Sequence, residues 1–279
     1  MNWREGELTG VGGLRLYRQA WIPDGEPRGV VVLAHGLSEH SGRYQHVAAR
    51  LAGGGFAVEA YDHRGHGRSD GPRSFVEMDA VVADLDALVD AAAAAHPGVP
   101  LFLLGHSMGG LVAIEYAIRQ QRKLTGLILS SPLAALEAAS PLTRMTARVI
   151  SLVAPQLGLV DIDSALVSRD PEVVRAYDAD PLVFRRRLPA RTVSQLESAV
   201  SSLPERARVI TVPVLIMYGS GDHLVPPAGS VMLDSVISSQ DKTLRVYDGL
   251  YHEIFNEPEQ QQVLDDLCAW LSAHVEPAA

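Results

Sequence analysis

The stretch Pro100-Leu101-Phe102-Leu103-Leu104-Gly105-His106-Ser107-Met108-Gly109-Gly110-Leu111-Val112-Ala113 decides how the rest of the chain reads. Its four consecutive apolar residues are too few for a helix and do not alternate, the pattern of a strand buried on both faces of a parallel sheet. A helix over roughly Gly110 to Gln121 follows, so the chain must turn sharply between the two. Gly105, Gly109 and Gly110 remove the side chains that would collide there, and Ser107 is left at the apex. The spacing G-x-S-x-G between strand and helix is a nucleophile elbow. It holds a serine hydroxyl at the top of the sheet, beside the next backbone N–H and the helix N-terminus.

Outward from the elbow the chain alternates strand and helix. Upstream, Val30 to Ala34 is a short apolar run ending in His35-Gly36-Leu37-Ser38-Glu39-His40. A helix from Tyr44 to Leu51 is closed by Gly53-Gly54-Gly55, and a strand from Phe56 to Tyr61 leads to Asp62-His63-Arg64-Gly65-His66-Gly67. From Asp79, residues Val82, Leu85, Leu88 and Ala92 recur at helical spacing until Pro97-Gly98. At the start, Glu7 to Val11 and Leu14 to Trp21 flank Gly12-Gly13 and suggest an antiparallel hairpin.

Downstream, Leu127 to Leu129 is another strand, and then the rhythm breaks. Between Leu133 and Arg208 no strand is signalled; Leu142 to Leu157 has the apolar content of a helix, and Pro171, Pro181 and Pro189 punctuate shorter pieces. Alternation resumes with Val214 to Tyr218 ending at Asp222, then Thr243 to Tyr247 ending near His252, then a helix from Glu259 to Ala273. The expectation is an α/β protein: residues 1–132 and 209–279 form a mostly parallel sheet flanked by helices, and residues 133–208 form a helical cap over it. Ligands in such sheets gather at the carboxyl ends of the strands, where His35, Ser107, Asp222 and His252 all fall.

Composition narrows the partners. A formal charge of −9 in 279 residues, without a dense Lys/Arg run, disfavours nucleic acid and strongly anionic lipid surfaces. The start is polar and no stretch approaches the ~18 apolar residues of a membrane span, so the expectation is a soluble, cytoplasmic protein. Cys268 is the only cysteine, which excludes an internal disulfide and a multi-cysteine zinc site.

A serine hydroxyl needs an adjacent base, and the base needs an orienting carboxylate. Ser107, Asp222 and His252 supply the set in the chain order of the α/β-hydrolase fold. Among ten histidines, His35, His63 and His66 precede the elbow, His106 should point away from the serine hydroxyl, His223 is too close to Asp222, and His274 lies in the terminal helix. The tetrahedral intermediate needs two N–H donors, for which Met108 and Leu37 are the candidates. A zinc reading of His252-Glu253-Ile254-Phe255-Asn256 fails because Asn256 stands where H-E-x-x-H needs its second histidine. His63 and His66 lack a third partner, so no metal and no cofactor are expected.

With these residues in view the chain resembles the monoacylglycerol lipase family, most closely its bacterial members. The resemblance is carried by His35-Gly36-Leu37-Ser38-Glu39-His40-Ser41-Gly42-Arg43-Tyr44, Asp62 to Ser69, Gly105 to Gly110, Ser168-Arg169-Asp170, Tyr177 to Leu182 and Gly249 to His252. It implies an α/β-hydrolase fold with a helical cap, Ser107, Asp222 and His252 as triad, Leu37 and Met108 as oxyanion donors, and glycerol monoesters of fatty acids as substrates. Other serine hydrolases on the same scaffold, a general carboxylesterase or a lysophospholipase among them, are the nearest rivals; a non-catalytic binding protein is the more distant one. Glu39, Arg43 and Tyr177 are candidates for contact with the glycerol head. Leu142, Met145, Val149, Ile150, Leu152 and Val153, beside Leu157, Leu159 and Val160, are candidates for peripheral contact with lipid aggregates.

Overall fold

The computed structural model describes residues 1–136 and 141–275, with the side chains of 141–144 and 147 outside that description, Leu142 among them. The chain opens with an antiparallel hairpin, β1 (Asn2–Thr9) and β2 (Arg15–Ile22), turned at Gly12 and Gly13, both at positive φ. The hairpin begins five residues earlier than the apolar pattern suggests, because its outer strand is polar and largely exposed. There follow β3 (Gly29–Ala34), α1 (Gln45–Gly53), β4 (Phe56–Tyr61), α2 (Met78–Ala95), β5 (Leu101–His106), α3 (Met108–Gln120) and β6 (Gly126–Ser130). Helix α3 starts two residues before the expected Gly110, directly after Ser107.

Between β6 and the next sheet strand lie α4 (Pro141–Val153), β7 (Gly158–Val160), α5 (Pro171–Ala179), β8 (Leu188–Pro189) and α6 (Ala190–Arg206). The tiny β7–β8 ladder corrects the strand-free reading of this stretch; two or three paired residues are too short to leave a periodic signal. Helix α6 was hidden by its prolines. Pro189 only precedes it and Pro204 falls in its last turns, while Leu196, Ala199, Val200 and Leu203 keep helical spacing on its buried face. Pro171 opens α5, whose first turn is capped by Asp170 accepting from the Glu172 N–H. The chain ends with β9 (Val214–Gly219), α7 (Ala228–Val236), β10 (Lys242–Tyr247) and α8 (Gln260–Ala273).

The main sheet has eight strands in the order β1-β2-β4-β3-β5-β6-β9-β10, antiparallel at the hairpin edge and parallel from β4 onward. Alternate residues serve its two faces. Val31, Leu33, Phe102 and Leu104 pack under α1 and α8, whereas Val30, Val32, Leu101 and Leu103 pack under α2 and α3. Burial of each such side chain stabilises the fold by roughly 1.5–3 kcal/mol. Helix α6, though it belongs to the inserted stretch, joins the second of these clusters through Leu196, Val200 and Leu203.

One feature of the strand order places the site. Strand β3 has β4 on one side and β5 on the other, so the chain crosses over in opposite directions from it. The loops after β3 and β5 therefore part above the sheet and leave a crevice.

Candidate active site

Ser107 stands at that crevice in a backbone conformation (φ 54°, ψ −120°) that few non-glycine residues adopt. Close packing holds it there. Its N–H donates to the Ser130 carbonyl at 3.0 Å, and its carbonyl accepts from the Leu111 and Leu133 N–H groups at 3.1 and 2.9 Å. The elbow is tight enough that a Cβ on Gly105 would lie 2.3 Å from the Gly109 carbonyl oxygen, and one on Gly109 would lie 2.1 Å from that of Ala34.

Asp222 and His252 meet in the loops that follow β9 and β10. The His252 Nδ1–H donates to Asp222 Oδ2 at 2.7 Å, and both residues are buried. The second Asp222 oxygen accepts from the Leu224 and Val225 N–H groups, each at 2.9 Å, which fixes the carboxylate. Burial alone pushes the imidazole down, but the Asp222 carboxylate, helped by Glu253 and Glu39, outweighs it and leaves His252 above its ordinary value. With Nδ1 committed to Asp222, neutral His252 keeps Nε2 as its proton acceptor. This is the state required of a general base.

His106 was expected to point away from the serine hydroxyl. Its ring instead packs against that of His252 at 4.8 Å, and it lines the cavity with Ser107. Burial and the neighbouring His252 push it down to about 3, so it stays neutral and adds no charge beside the base. His223 turns to the Tyr251 ring.

The loop after β3 is set by a run of neutral imidazoles. The His63 N–H donates to His35 Nε2 at 2.9 Å, which leaves His35 Nδ1 as the protonated nitrogen; that N–H donates to the Gly36 carbonyl at 2.7 Å. Because a trans peptide points its C=O and N–H in opposite directions, holding the Gly36 oxygen also aims the Leu37 N–H. His63 is locked in turn between the Tyr61 hydroxyl and the His35 carbonyl. Burial drives His35 well below its ordinary value, His63 to about 3 and His66 to about 4. The Leu37 and Met108 N–H groups make no backbone hydrogen bond among the described residues.

Leu37, Glu39, Ser107, Tyr177 and His252 line one cavity of ≈ 220 Å³, whose polar groups, Glu39, His106, Ser107, His252 and Glu253, come mainly from the core side, and whose inserted wall is mostly apolar, with Leu136, Val160, Ile162, Leu188 and Leu196. Arg43 lies behind this wall. Its guanidinium donates to Glu253 and Glu39, and the Tyr177 ring covers it at 4.7 Å. Glu253 was not among the residues expected at the site, since nothing local in the sequence marks its burial against Arg43.

A family model described as serine aminopeptidase, S33, matches residues 25–259. The chain belongs to that family of hydrolases. It is 46% identical over 273 residues to the monoacylglycerol lipase of Mycolicibacterium smegmatis, covering 97% of this chain and 98% of the relative. It is 39% identical over 270 residues to the human monoglyceride lipase, covering 95% and 89%. The crystal structure of Paleococcus ferrophilus monoacylglycerol lipase superposes with a TM-score of 0.85 at 35% identity, over 93% of this chain and 99% of that one. These three relatives are named for ester cleavage, although the family model is named for a peptidase.

Proposed function

We propose that this protein is a serine hydrolase that cleaves monoacylglycerols to fatty acid and glycerol through an acyl-enzyme. The observation that carries the reading is the cavity of mixed character over Ser107, polar toward His252 and apolar toward the inserted stretch. His252 takes the Ser107 proton as the hydroxyl oxygen attacks the ester carbonyl. The oxygen of the tetrahedral intermediate, now negative, rests on the Leu37 and Met108 N–H groups. Collapse expels glycerol, protonated by His252, and water then repeats the cycle on the acyl-serine.

Residues 133–208 act as the cap in this reading, with α6 shared between cap and core. At ≈ 220 Å³ the cavity is smaller than the ~300 Å³ lower bound of drug-sized pockets, so a long acyl chain extends past its mouth. Leu136 and Val160 line the cavity and are also exposed, which marks the mouth. In the same inserted stretch Met145, Val149, Leu152 and Val153 are exposed apolar residues of α4 at helical spacing, and we assign this face to peripheral contact with lipid aggregates. No helix among the described residues is long and apolar enough to cross a membrane.

Tyr177 lines the cavity from the inserted stretch and its hydroxyl makes no hydrogen bond with a described residue, so it is the group assigned to a glycerol hydroxyl. Tyr177→Phe should lower kcat/KM for a monoacylglycerol by about 1 kcal/mol and leave a nitrophenyl ester of the same acid nearly unchanged. A panel of mono-, di- and triacylglycerols, lysophospholipid and simple esters tests the substrate class. Preference for any other ester over the monoacylglycerol would overturn it.

A further inference from the structure

Two loops far apart in sequence are joined behind the cavity by a buried chain of charges. The Arg43 guanidinium donates to both Glu253 oxygens at 2.5 and 2.7 Å, and to Glu39 Oε2 at 2.8 Å. The other Glu39 oxygen accepts from the Gly36 N–H at 2.6 Å and from the Tyr44 hydroxyl at 2.7 Å. Asn256 steadies Glu253 from the far side at 2.8 Å. One end of this chain is thus the Gly36–Leu37 backbone after β3; the other is the residue that follows His252 after β10.

Both carboxylates and the guanidinium are withdrawn from water, and a buried ion group of this kind is seldom worth its desolvation in stability. Arg43 is also poorly placed to bind substrate directly. Its Nη1 and Nη2 groups donate to carboxylates, its face is covered by Tyr177, and it does not line the cavity. What the arrangement does is fix a distance between two loops that must act on the same carbonyl carbon.

We propose that Arg43 is a positioning residue that holds the His252 base and the Leu37 oxyanion donor in register, through Glu253 on one side and Glu39 on the other. The proposal rests on the roles assigned above to Ser107, His252 and Leu37. A guanidinium is suited to it because its planar fork can grip one carboxylate with two donors and still reach the second; an ammonium cannot.

The test uses the purified full chain and three readouts: kcat and KM on a monoacylglycerol and on a nitrophenyl ester, the rate of Ser107 labelling by a fluorophosphonate, and the acid limb of kcat/KM. Arg43→Met combined with Glu253→Met removes the guanidinium and one of its two carboxylates and keeps the site filled; Glu39 retains the Gly36 N–H and the Tyr44 hydroxyl as donors, so the protein should remain folded. The expected result is a fall in kcat of about 10²-fold on both esters, with labelling slowed in parallel and KM little changed. Arg43→Lys should not rescue kcat.

Glu253→Gln keeps the shape and removes one charge. The groups acting on His252 are Asp222 from the loop after β9, Glu39 from the loop after β3 and Glu253 itself, with the His106 ring from the end of β5 packed against it; Arg43 stands one step further off, behind the two glutamates. With one carboxylate gone, the acid limb should move to lower pH. Wild-type kcat and labelling in the folded double variant would overturn the proposal, as would a loss confined to the monoacylglycerol. Labelling that survives Ser107→Ala would instead overturn the assignment of the nucleophile.

Discussion

At the scale of single residues the proposed chemistry rests on Ser107, which lines one cavity with His252, and on the contact of His252 with Asp222. Ser107→Ala should lower turnover by roughly 10³- to 10⁶-fold while the fold persists, because the members of such a set act as a unit. Asp222→Asn should be nearly as damaging, since it releases the His252 tautomer; retention of a tenth of the wild-type rate by either variant would contradict the assignment. Only neutral His252 can accept the serine proton, so activity should rise with pH. The half-rise should lie above the ~6.5 of a free imidazole, because Asp222, Glu253 and Glu39 favour the charged form. A rate that is flat between pH 5 and 8 would exclude a histidine base. The Asp222–His252 contact was legible in the sequence, because each residue ends a strand in the part of the sheet where side chains converge. Glu253 and the inward ring of His106 were not legible. Burial of a charge or an imidazole is decided by what packs over it, and no local pattern records that.

Among elements, the turn from β5 into α3 is the most constrained. A Cβ on Gly109 would lie 2.1 Å from the Ala34 carbonyl oxygen, which is backbone and cannot swing aside. Gly109→Ala should therefore push the loop after β3 away from α3, at a cost of about 3 kcal/mol or more in stability, visible as a lowered Tm, with labelling of Ser107 slowed. Helix α4 offers the opposite case, apolar where it faces solvent. Replacing Val149 and Leu152 by Asp should weaken binding to liposomes or micelles more than it slows cleavage of a water-soluble short ester. Equal losses would mean that these residues serve packing.

The inner parallel strands β3, β5, β6 and β9 were readable because strands buried on both faces are nearly continuous apolar runs. Helix α6 was obscured for a different reason. It serves the inserted stretch and the core at once, and prolines beside and inside it look like interruptions when only local propensity is weighed.

Across the whole molecule, the buried neutral histidines set the response to acid. His63, His66 and His106 are held to about 3, 4 and 3, each chiefly by burial, and His35 lies well below its ordinary value. In the unfolded chain these groups titrate near ~6.5, so between that value and the folded ones the unfolded state binds more protons. Their contribution to stability is complete above ~6.5 and is lost as pH falls toward 4, at up to about 1.4 kcal/mol per pH unit for each histidine. A Tm measured against pH should drop steeply across that window. His66→Gln should flatten the drop, because it removes one of these titrating groups while the amide of the new side chain can still donate to the Arg64 carbonyl, as the His66 Nδ1–H does. An unchanged slope would show that other groups govern acid unfolding.

The strand order has a consequence for how the protein comes into being. Ser107 sits after the fifth strand in the chain and His252 after the last, while the loop carrying Leu37 precedes both. During synthesis from the N-terminus, β1 to β6 emerge well before β9 and β10, and a nascent chain that has already built its elbow still lacks Asp222 and His252. On the proposed roles, hydrolytic competence therefore arrives only with the final strand pairings, of which β6 with β9 spans the whole inserted stretch and so forms slowly. The recovery of activity on refolding thus counts molecules that have completed the sheet, whereas helical signal counts those that have merely begun.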